Sequence, residues 1–333
     1  MLSLGIQETR VPLSLPDKWI WDFWFAQDGL EYHVFYLQAP KSLGDEKLRH
    51  WHVSIGHAVS RDLMSWSVLP DAISPSRDPN AFDNYTTWTG STIRHDGIWY
   101  LFFTGTRKQE KGLVQRIGFA TSRDLVSWTK NPGNPVVEAD PTWYELLGQS
   151  NWHDQAWRDP WIFRHPDTGK FHALITARVN YGPADERGVI GHAVSDDLHR
   201  WEVLPPITQP GKFGHMEVPQ IVEIQNRYYL IFSASSDMYA QSYLKEMDPD
   251  PLSGSHFMIG ADSLGPYKYL SERFFLGDRY GSLYSSKVIQ TQRGNWVLIA
   301  FRNYAADGSF IGELSDPIPV DVAPDGQLVI HTG

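Results

Sequence analysis

The chain contains no cysteine. Disulfides, thiolate nucleophiles and cysteine-ligated metals are therefore excluded, and a reducing, cytoplasmic setting is the expectation that fits. No uninterrupted apolar run is long enough to cross a bilayer, and residues 1–18, with Glu8, Arg10, Asp17 and two prolines, lack the pattern of a secretory leader. A soluble protein with no membrane partner is expected. Positive charge is also short. Against 39 Asp plus Glu stand 29 Lys plus Arg, a formal charge of −10, which argues against a nucleic-acid or anionic-membrane surface as partner. Helical periodicity is scarce throughout. Aromatic rings, by contrast, are abundant: 14 Trp, 15 Tyr and 16 Phe make up 14% of 333 residues. Such rings dominate burial in β proteins. They also stack on the C–H faces of sugars, so a carbohydrate site is a candidate alongside a large core.

The chain repeats itself. Ile55-Gly-His-Ala-Val-Ser-Arg-Asp-Leu-Met-Ser-Trp66 recurs as Ile117-Gly-Phe-Ala-Thr-Ser-Arg-Asp-Leu-Val-Ser-Trp128 and as Ile190-Gly-His-Ala-Val-Ser-Asp-Asp-Leu-His-Arg-Trp201, with weaker copies at Ile259-Gly260-Ala261 and Ile311-Gly312-Glu313. The spacing is too uneven for a solenoid and natural for blades with variable loops. Two strand-like runs precede each copy, among them Trp19 to Ala26 with Glu31 to Gln38, Thr87 to Arg94 with Ile98 to Thr104, and Trp157 to Arg164 with Lys170 to Ala177. With a strand beginning at each repeat Trp, this predicts an all-β protein, a five-bladed β-propeller of four antiparallel strands per blade. The blades are expected over roughly 15–70, 86–135, 156–206, 216–270 and 282–331, in one domain spanning 1–333 with no C-terminal β-sandwich.

A residue present in every copy serves the blade, whereas a polar residue present in one copy needs another reason. Asp62, Asp124 and Asp197 belong to the first class, in Ser-x-Asp-Leu turns whose carboxylates satisfy local N–H groups, and Trp66, Trp128 and Trp201 are expected to pack between blades. First strands of propeller blades line the central channel, and here they open on unlike residues: Trp21-Asp22, Trp88-Thr89-Gly90-Ser91, Arg158-Asp159-Pro160, Glu217-Val218-Pro219 and Tyr284-Ser285. Asp22, Asp159 and Glu217 lie at like distances before the next hairpin turn, so three carboxylates are expected to converge on one channel mouth. Two carboxylates flanking a glycosidic bond are the minimum equipment for glycoside hydrolysis.

In order and over the whole chain, Trp21-Asp22-Phe23-Trp24, Trp88-Thr89-Gly90-Ser91, Arg158-Asp159-Pro160 and Glu217-Val218-Pro219 resemble the clan J β-fructosidases, glycoside hydrolase families 32 and 68. The resemblance implies a propeller that releases β-fructofuranosyl units, with Asp22 as nucleophile, Asp159 as transition-state stabiliser and Glu217 as general acid/base. It also implies that Arg158, Trp21, Trp88 and Ser91 hold the fructosyl ring; Tyr284, heading the fifth unit, is read as a further substrate contact. Departures are visible. Trp21 stands where family 32 usually has Asn, and Val218-Pro219 follows the acid/base where family 32 has Cys and family 68 an Arg-Pro pair.

The expected reaction is retaining hydrolysis of sucrose or fructo-oligosaccharides through a covalent fructosyl-enzyme, which requires Asp22 and Glu217 to stand about 5–5.5 Å apart. Arg158 is expected to hold Asp159 ionised. Alternatives are fructosyl transfer at the same site, an inverting arabinanase- or xylosidase-like glycosidase on the same scaffold and, last, a binding propeller without catalysis. No metal or cofactor is called for. His50 and His52 are read as surface or loop residues, and His153 and His215 either as pocket borders or as plain loop residues. A propeller lacking an accessory domain is expected to cover exposed surface as a homodimer.

Overall fold

The computed structural model describes residues 12–246, 251–270 and 275–331, and all statements below concern these. Tight turns fold successive apolar runs into hairpins. Asp96 and Gly97, for example, both adopt left-handed backbone (φ +48° and +77°), the conformation that matches strand twist in a two-residue hairpin loop. Blade one comprises β1 (Lys18–Asp28), β2 (Glu31–Pro40), β3 (Ser54–Ser60) and β4 (Ser67–Ile73). Blade two comprises β5 (Thr86–His95), β6 (Ile98–Thr106), β7 (Arg116–Ser122) and β8 (Thr129–Lys130), and blade three β9 (Trp157–Arg164), β10 (Phe171–Arg178), β11 (Gly188–Ser195) and β12 (Glu202–Leu204). Blade four holds β13 (Glu217–Ile224), β14 (Arg227–Ala234), β15 (Ser253–Gly260) and β16 (Leu276–Asp278). The fifth has β17 (Leu283–Gln290), β18 (Trp296–Tyr304), β19 (Phe310–Leu314), β20 (Ile318–Val322) and β21 (Leu328–Ile330).

This is a five-bladed β-propeller, and only its last blade departs from four strands. There the third strand is split, with the end of β18 pairing β19 and its beginning pairing β20. Adjacent inner strands touch in ring order, β1 to β5 to β9 to β13 to β17 and back to β1. Second strands lie between neighbouring blades and are buried on both faces. All eight residues of β10 are buried, which is why such strands read as continuous apolar runs without alternation. The ring closes where Leu314 N–H of β19 donates to Leu13 O at 3.0 Å. No helix is long and apolar enough to cross a membrane, and α1 (Gln241–Leu244) is a single turn.

The repeat has a physical cause in the first three blades. A Cβ on Gly56 would lie 2.3 Å from the Tyr36 ring, one on Gly118 2.4 Å from the Phe82 ring and one on Gly191 2.8 Å from Ala177 Cβ, so only glycine fits beneath these side chains. Gly260 and Gly312 are not their counterparts. By register the fourth-blade residue is His256, opposite Phe232, whereas Gly260 faces Tyr228 at the strand's end. The turn acids behave as expected: Asp124 Oδ1 accepts Ser122 Oγ–H and the backbone N–H groups of Val126 and Ser127 at 2.7–2.9 Å, and these bonds hold its carboxyl down at about 2. Trp128 packs edge-on against Phe35 and Trp201 against Phe102, each in the preceding blade.

Candidate active site

Every inner strand breaks its ladder at the same height. Register shifts fall between Trp21 and Phe23, between Trp88 and Gly90, just after Arg158, between Glu217 and Gln220, and between Tyr284 and Lys287. Such bulges re-aim side chains. Here they turn one ring of residues, Trp21, Trp88, Arg158, Glu217 and Tyr284, and a second ring, Asp22, Thr89, Asp159, Val218 and Ser285, toward the channel mouth. The three acids are thus not equivalent, although their spacing from the hairpin turns predicts like places. Asp22 and Asp159 share a ring, whereas Glu217 belongs to that of Trp21 and Arg158, because Glu217 pairs with Ser233 as Trp21 pairs with Leu37 and Arg158 with Thr176.

Three members of the second ring have left-handed backbone: Asp159 (φ +57°), Val218 (φ +52°) and Ser285 (φ +54°). In a non-glycine residue this conformation costs on the order of 1–3 kcal/mol and requires support. A hydroxyl from the preceding blade supplies it each time. Thr104 Oγ1 accepts Asp159 N–H at 3.0 Å, Thr176 Oγ1 accepts Val218 N–H at 3.1 Å, and Ser233 Oγ accepts Ser285 N–H at 3.1 Å. These hydroxyls sit directly opposite Trp88, Arg158 and Glu217 on the second strands. At the two seams flanking blade one the equivalent residues are Leu37 and Phe301, which offer no hydroxyl.

The carboxylates differ in their partners. Asp22 accepts Thr89 Oγ1–H at 3.0 Å; burial raises its pKa, as does Glu217, while the Ser285 and Thr89 hydroxyls and Lys287 pull the other way. Asp159 Oδ2 accepts Thr176 Oγ1–H at 2.8 Å, and burial pushes this acid up to about 7 despite Arg158. Arg158 is the strongest influence toward the ionised form, but it does not offset burial. The guanidinium stands 3.5 Å from Asp159 but directs Nη2 at Glu217 Oε1 at 2.6 Å, and Tyr284 O–H donates to the other oxygen at 2.7 Å.

The three acids, Arg158, Trp21, Trp88 and Tyr284 line one cavity of about 640 Å³. Trp88 Nε1–H is tied to His50 O at 2.8 Å, which fixes the indole as part of the wall. Ser91 does not reach the cavity. It is buried between blades with Oγ accepting Ile162 N–H at 2.9 Å, so the expected substrate contact is instead a blade-to-blade tie. Of the histidines, His153 and His50 line the cavity and His215 is buried behind Arg158. His50 is a loop residue, half-buried between β2 and β3; burial, with Arg49 and Arg158 nearby, lowers it to about 3 and keeps it neutral. Lys287 was not anticipated. It lies buried beneath the acids, Nζ donates to Val218 O at 2.9 Å, and burial lowers its pKa to about 8. A lone charged residue in the strand Leu283–Gln290 is the available signal. Beyond the acids the cavity widens to Asp237, Arg279, Tyr280, Asn303 and Tyr304.

Among the described residues His165, Asp167 and Asp262 approach a metal-ligand spacing, away from this cavity. His165 Nδ1 accepts the N–H of Asp167 at 3.3 Å, which leaves the proton on Nε2 facing Asp262 at 3.6 Å, so the imidazole has no lone pair free for a metal.

The arrangement offers a carboxylate attacker, a second carboxyl held by two donors, and a third acid over a buried cation, the equipment of glycoside cleavage. Comparison with known proteins agrees. The inulosucrase from Halalkalicoccus jeotgali bound to kestose has the same fold (TM-score 0.76, 22% identity, 97% of this chain and 90% of that one), as has Bacillus subtilis levansucrase (TM-score 0.72, 16% identity, 95% and 86%). In sequence, the extracellular sucrase of Zymomonas mobilis is 26% identical over 371 residues, 96% of this chain and 83% of that protein. An insoluble β-fructofuranosidase isoenzyme of Arabidopsis thaliana is 29% identical over 198 residues, 58% of this chain and 33% of that protein. These relatives overturn the expectation of a cytoplasmic protein. One is extracellular and the other an insoluble isoenzyme, and a ring closed by blade packing needs no disulfide, so missing cysteine carries no information on compartment. Residues 23–309 match the glycosyl hydrolases family 32 N-terminal domain; the chain belongs to this family and is a glycoside hydrolase.

Proposed function

We propose that the enzyme releases terminal β-fructofuranosyl units from sucrose or short fructo-oligosaccharides with retention of configuration. One observation carries this reading: Asp22 and Glu217 face the same cavity in unlike settings, one beside uncharged hydroxyls, among them Thr89 Oγ1–H, the other gripped by Arg158 and Tyr284. Asp22 attacks the anomeric C2, the C2–O bond to the leaving sugar breaks, and Glu217 gives its proton to that oxygen. Arrival of the fructosyl ring draws Arg158 toward the sugar hydroxyls and frees Oε1 of Glu217 to carry this proton. Water then gives a proton to Glu217 while its oxygen displaces Asp22 from C2. Asp159 strengthens its hold on the ring hydroxyls as positive charge develops.

The test is incubation of purified protein with sucrose and with a fructosyl trisaccharide, with chromatography of the products and NMR of the fructose anomer first formed. Free β-fructofuranose, lost in Asp22→Asn, is the expected result. Longer oligosaccharides would make the activity a transferase on the same site. Inverted product would remove Asp22 as nucleophile, and fructoside turnover by Asp22→Asn would sink the assignment.

A further inference from the structure

His215 stands two residues ahead of Glu217, is 2% exposed, and presents its ring to two donors. Trp152 Nε1–H reaches Nε2 at 3.1 Å, and Arg158 Nη2 lies 3.1 Å from Nδ1. Burial, aided by the positive Arg158 and Arg178, keeps the imidazole neutral. A neutral ring has one N–H and one acceptor nitrogen, so it cannot accept from both.

The indole decides between them. Its N–H is a donor with His215 as its partner, whereas Arg158 also reaches Glu217 at 2.6 Å, Gln115 at 3.3 Å, Asp159 at 3.5 Å and Asp154 at 3.6 Å. Trp152 is itself held in place. The Arg178 guanidinium lies 3.6 Å over its ring, and Arg178 is clasped by Glu145 at 2.8 Å and Gly214 O at 2.7 Å. A Cβ on Gly214 would lie 2.5 Å from the same indole. Nε2 therefore accepts, the hydrogen sits on Nδ1, and the acceptor that Nδ1–H faces is Glu217 Oε1 at 3.7 Å.

We propose that His215, fixed by Trp152 as its Nδ1–H tautomer, is a positioning residue for the acid/base: its N–H serves Glu217 Oε1 once Arg158 turns to the sugar. The inference rests on Glu217 acting as the acid. The donor matters when Glu217 gives up its proton and becomes a carboxylate, so its loss weighs most on leaving groups that need protonation. Sucrose has such a leaving group. β-Fructosyl fluoride does not.

The experiment compares kcat and KM on both substrates for wild type, His215→Phe, His215→Asn and Trp152→Phe, with thermal melting of each. His215→Phe should lose about tenfold or more in kcat on sucrose, part of the roughly 10²–10⁴-fold that a general acid supplies, and little on the fluoride. His215→Asn, whose amide nitrogen occupies the Nδ1 position, should recover most of that loss, and Trp152→Phe should show a weaker, sucrose-selective defect. Equal losses on both substrates, or full sucrose activity in His215→Phe, would overturn the proposal. A wild type inactive on both substrates would instead overturn the fructosidase reading itself, and this inference with it.

Discussion

Asp159 is a buried acid kept in its place at a cost to stability, and that cost is measurable. Its pKa stands at about 7 against an ordinary 3.8, with burial the leading cause. Between these values the folded state binds more protons than the unfolded one, so stability contributed at this position falls as pH rises through that window. At 1.36 kcal/mol per pKa unit, the part of the loss that falls between pH 5 and pH 8 is roughly 2–3 kcal/mol. Asp159→Asn preserves shape and retains an acceptor for Thr176 Oγ1–H, but has no proton to lose. The variant should therefore melt above wild type at pH 8, by a margin that shrinks toward pH 5. With about 2.1 cal/mol/K of unfolding entropy per residue, roughly 0.7 kcal/mol/K for this length, the change in margin is about 3–4 °C. Calorimetry of both proteins at pH 5, 6, 7 and 8 measures it, with activity lost in the variant throughout. A margin independent of pH, or one that narrows as pH rises, would refute the assignment of a buried, proton-binding Asp159.

Two further outcomes are expected. Tyr284→Phe removes the donor at 2.7 Å from Glu217 Oε2, and kcat on sucrose should fall roughly 10–100-fold with KM nearly unchanged, the range for a hydrogen bond to a charged group; a loss confined to KM would make Tyr284 a sugar contact instead. Asp124→Ala should leave activity intact and lower the melting temperature at pH 7. Because the folded carboxyl of Asp124 is held at about 2, its contribution is present above pH 4 and disappears as pH falls toward 2, so melting curves of the two proteins should converge there; a difference that persists at pH 2 would contradict this.

The sequence carried the sheets well, since each hairpin had its own local signal. β9 was placed from Trp157 to Arg164 as observed, and β2 and β6 were placed to within two residues. Local signals also separated the turn acids from Asp22, Asp159 and Glu217. Lost to sequence reading was whatever depends on what faces what across a seam. Cross-strand register leaves no mark in a strand's composition, so sequence alone aligns Glu217 with Asp22, whereas pairing aligns it with Trp21. Ser91, one residue beyond the bulged segment, turns into the blade interface. The caps from Thr104, Thr176 and Ser233 come from second strands more than 40 residues away, and a split third strand in the last blade looks like two ordinary short runs.

The hydroxyl caps divide the ring unevenly. Blades two to five are joined at this height through Thr104, Thr176 and Ser233, so Asp159, Glu217 and Tyr284 ride on one braced arc. Blade one, carrying Asp22, has Leu37 and Phe301 in the equivalent places and is tied to blade two instead by the Thr89 hydroxyl on Asp22, and closure of the chain at Leu13 and Leu314 falls on the same side. In the proposed reaction a sugar held between Asp22 and Glu217 would bridge the braced arc and a blade joined to it through side chains rather than backbone caps. On that proposal, changes in the packing around blade one should move Asp22 while Arg158, Glu217 and Tyr284 keep their mutual bonds.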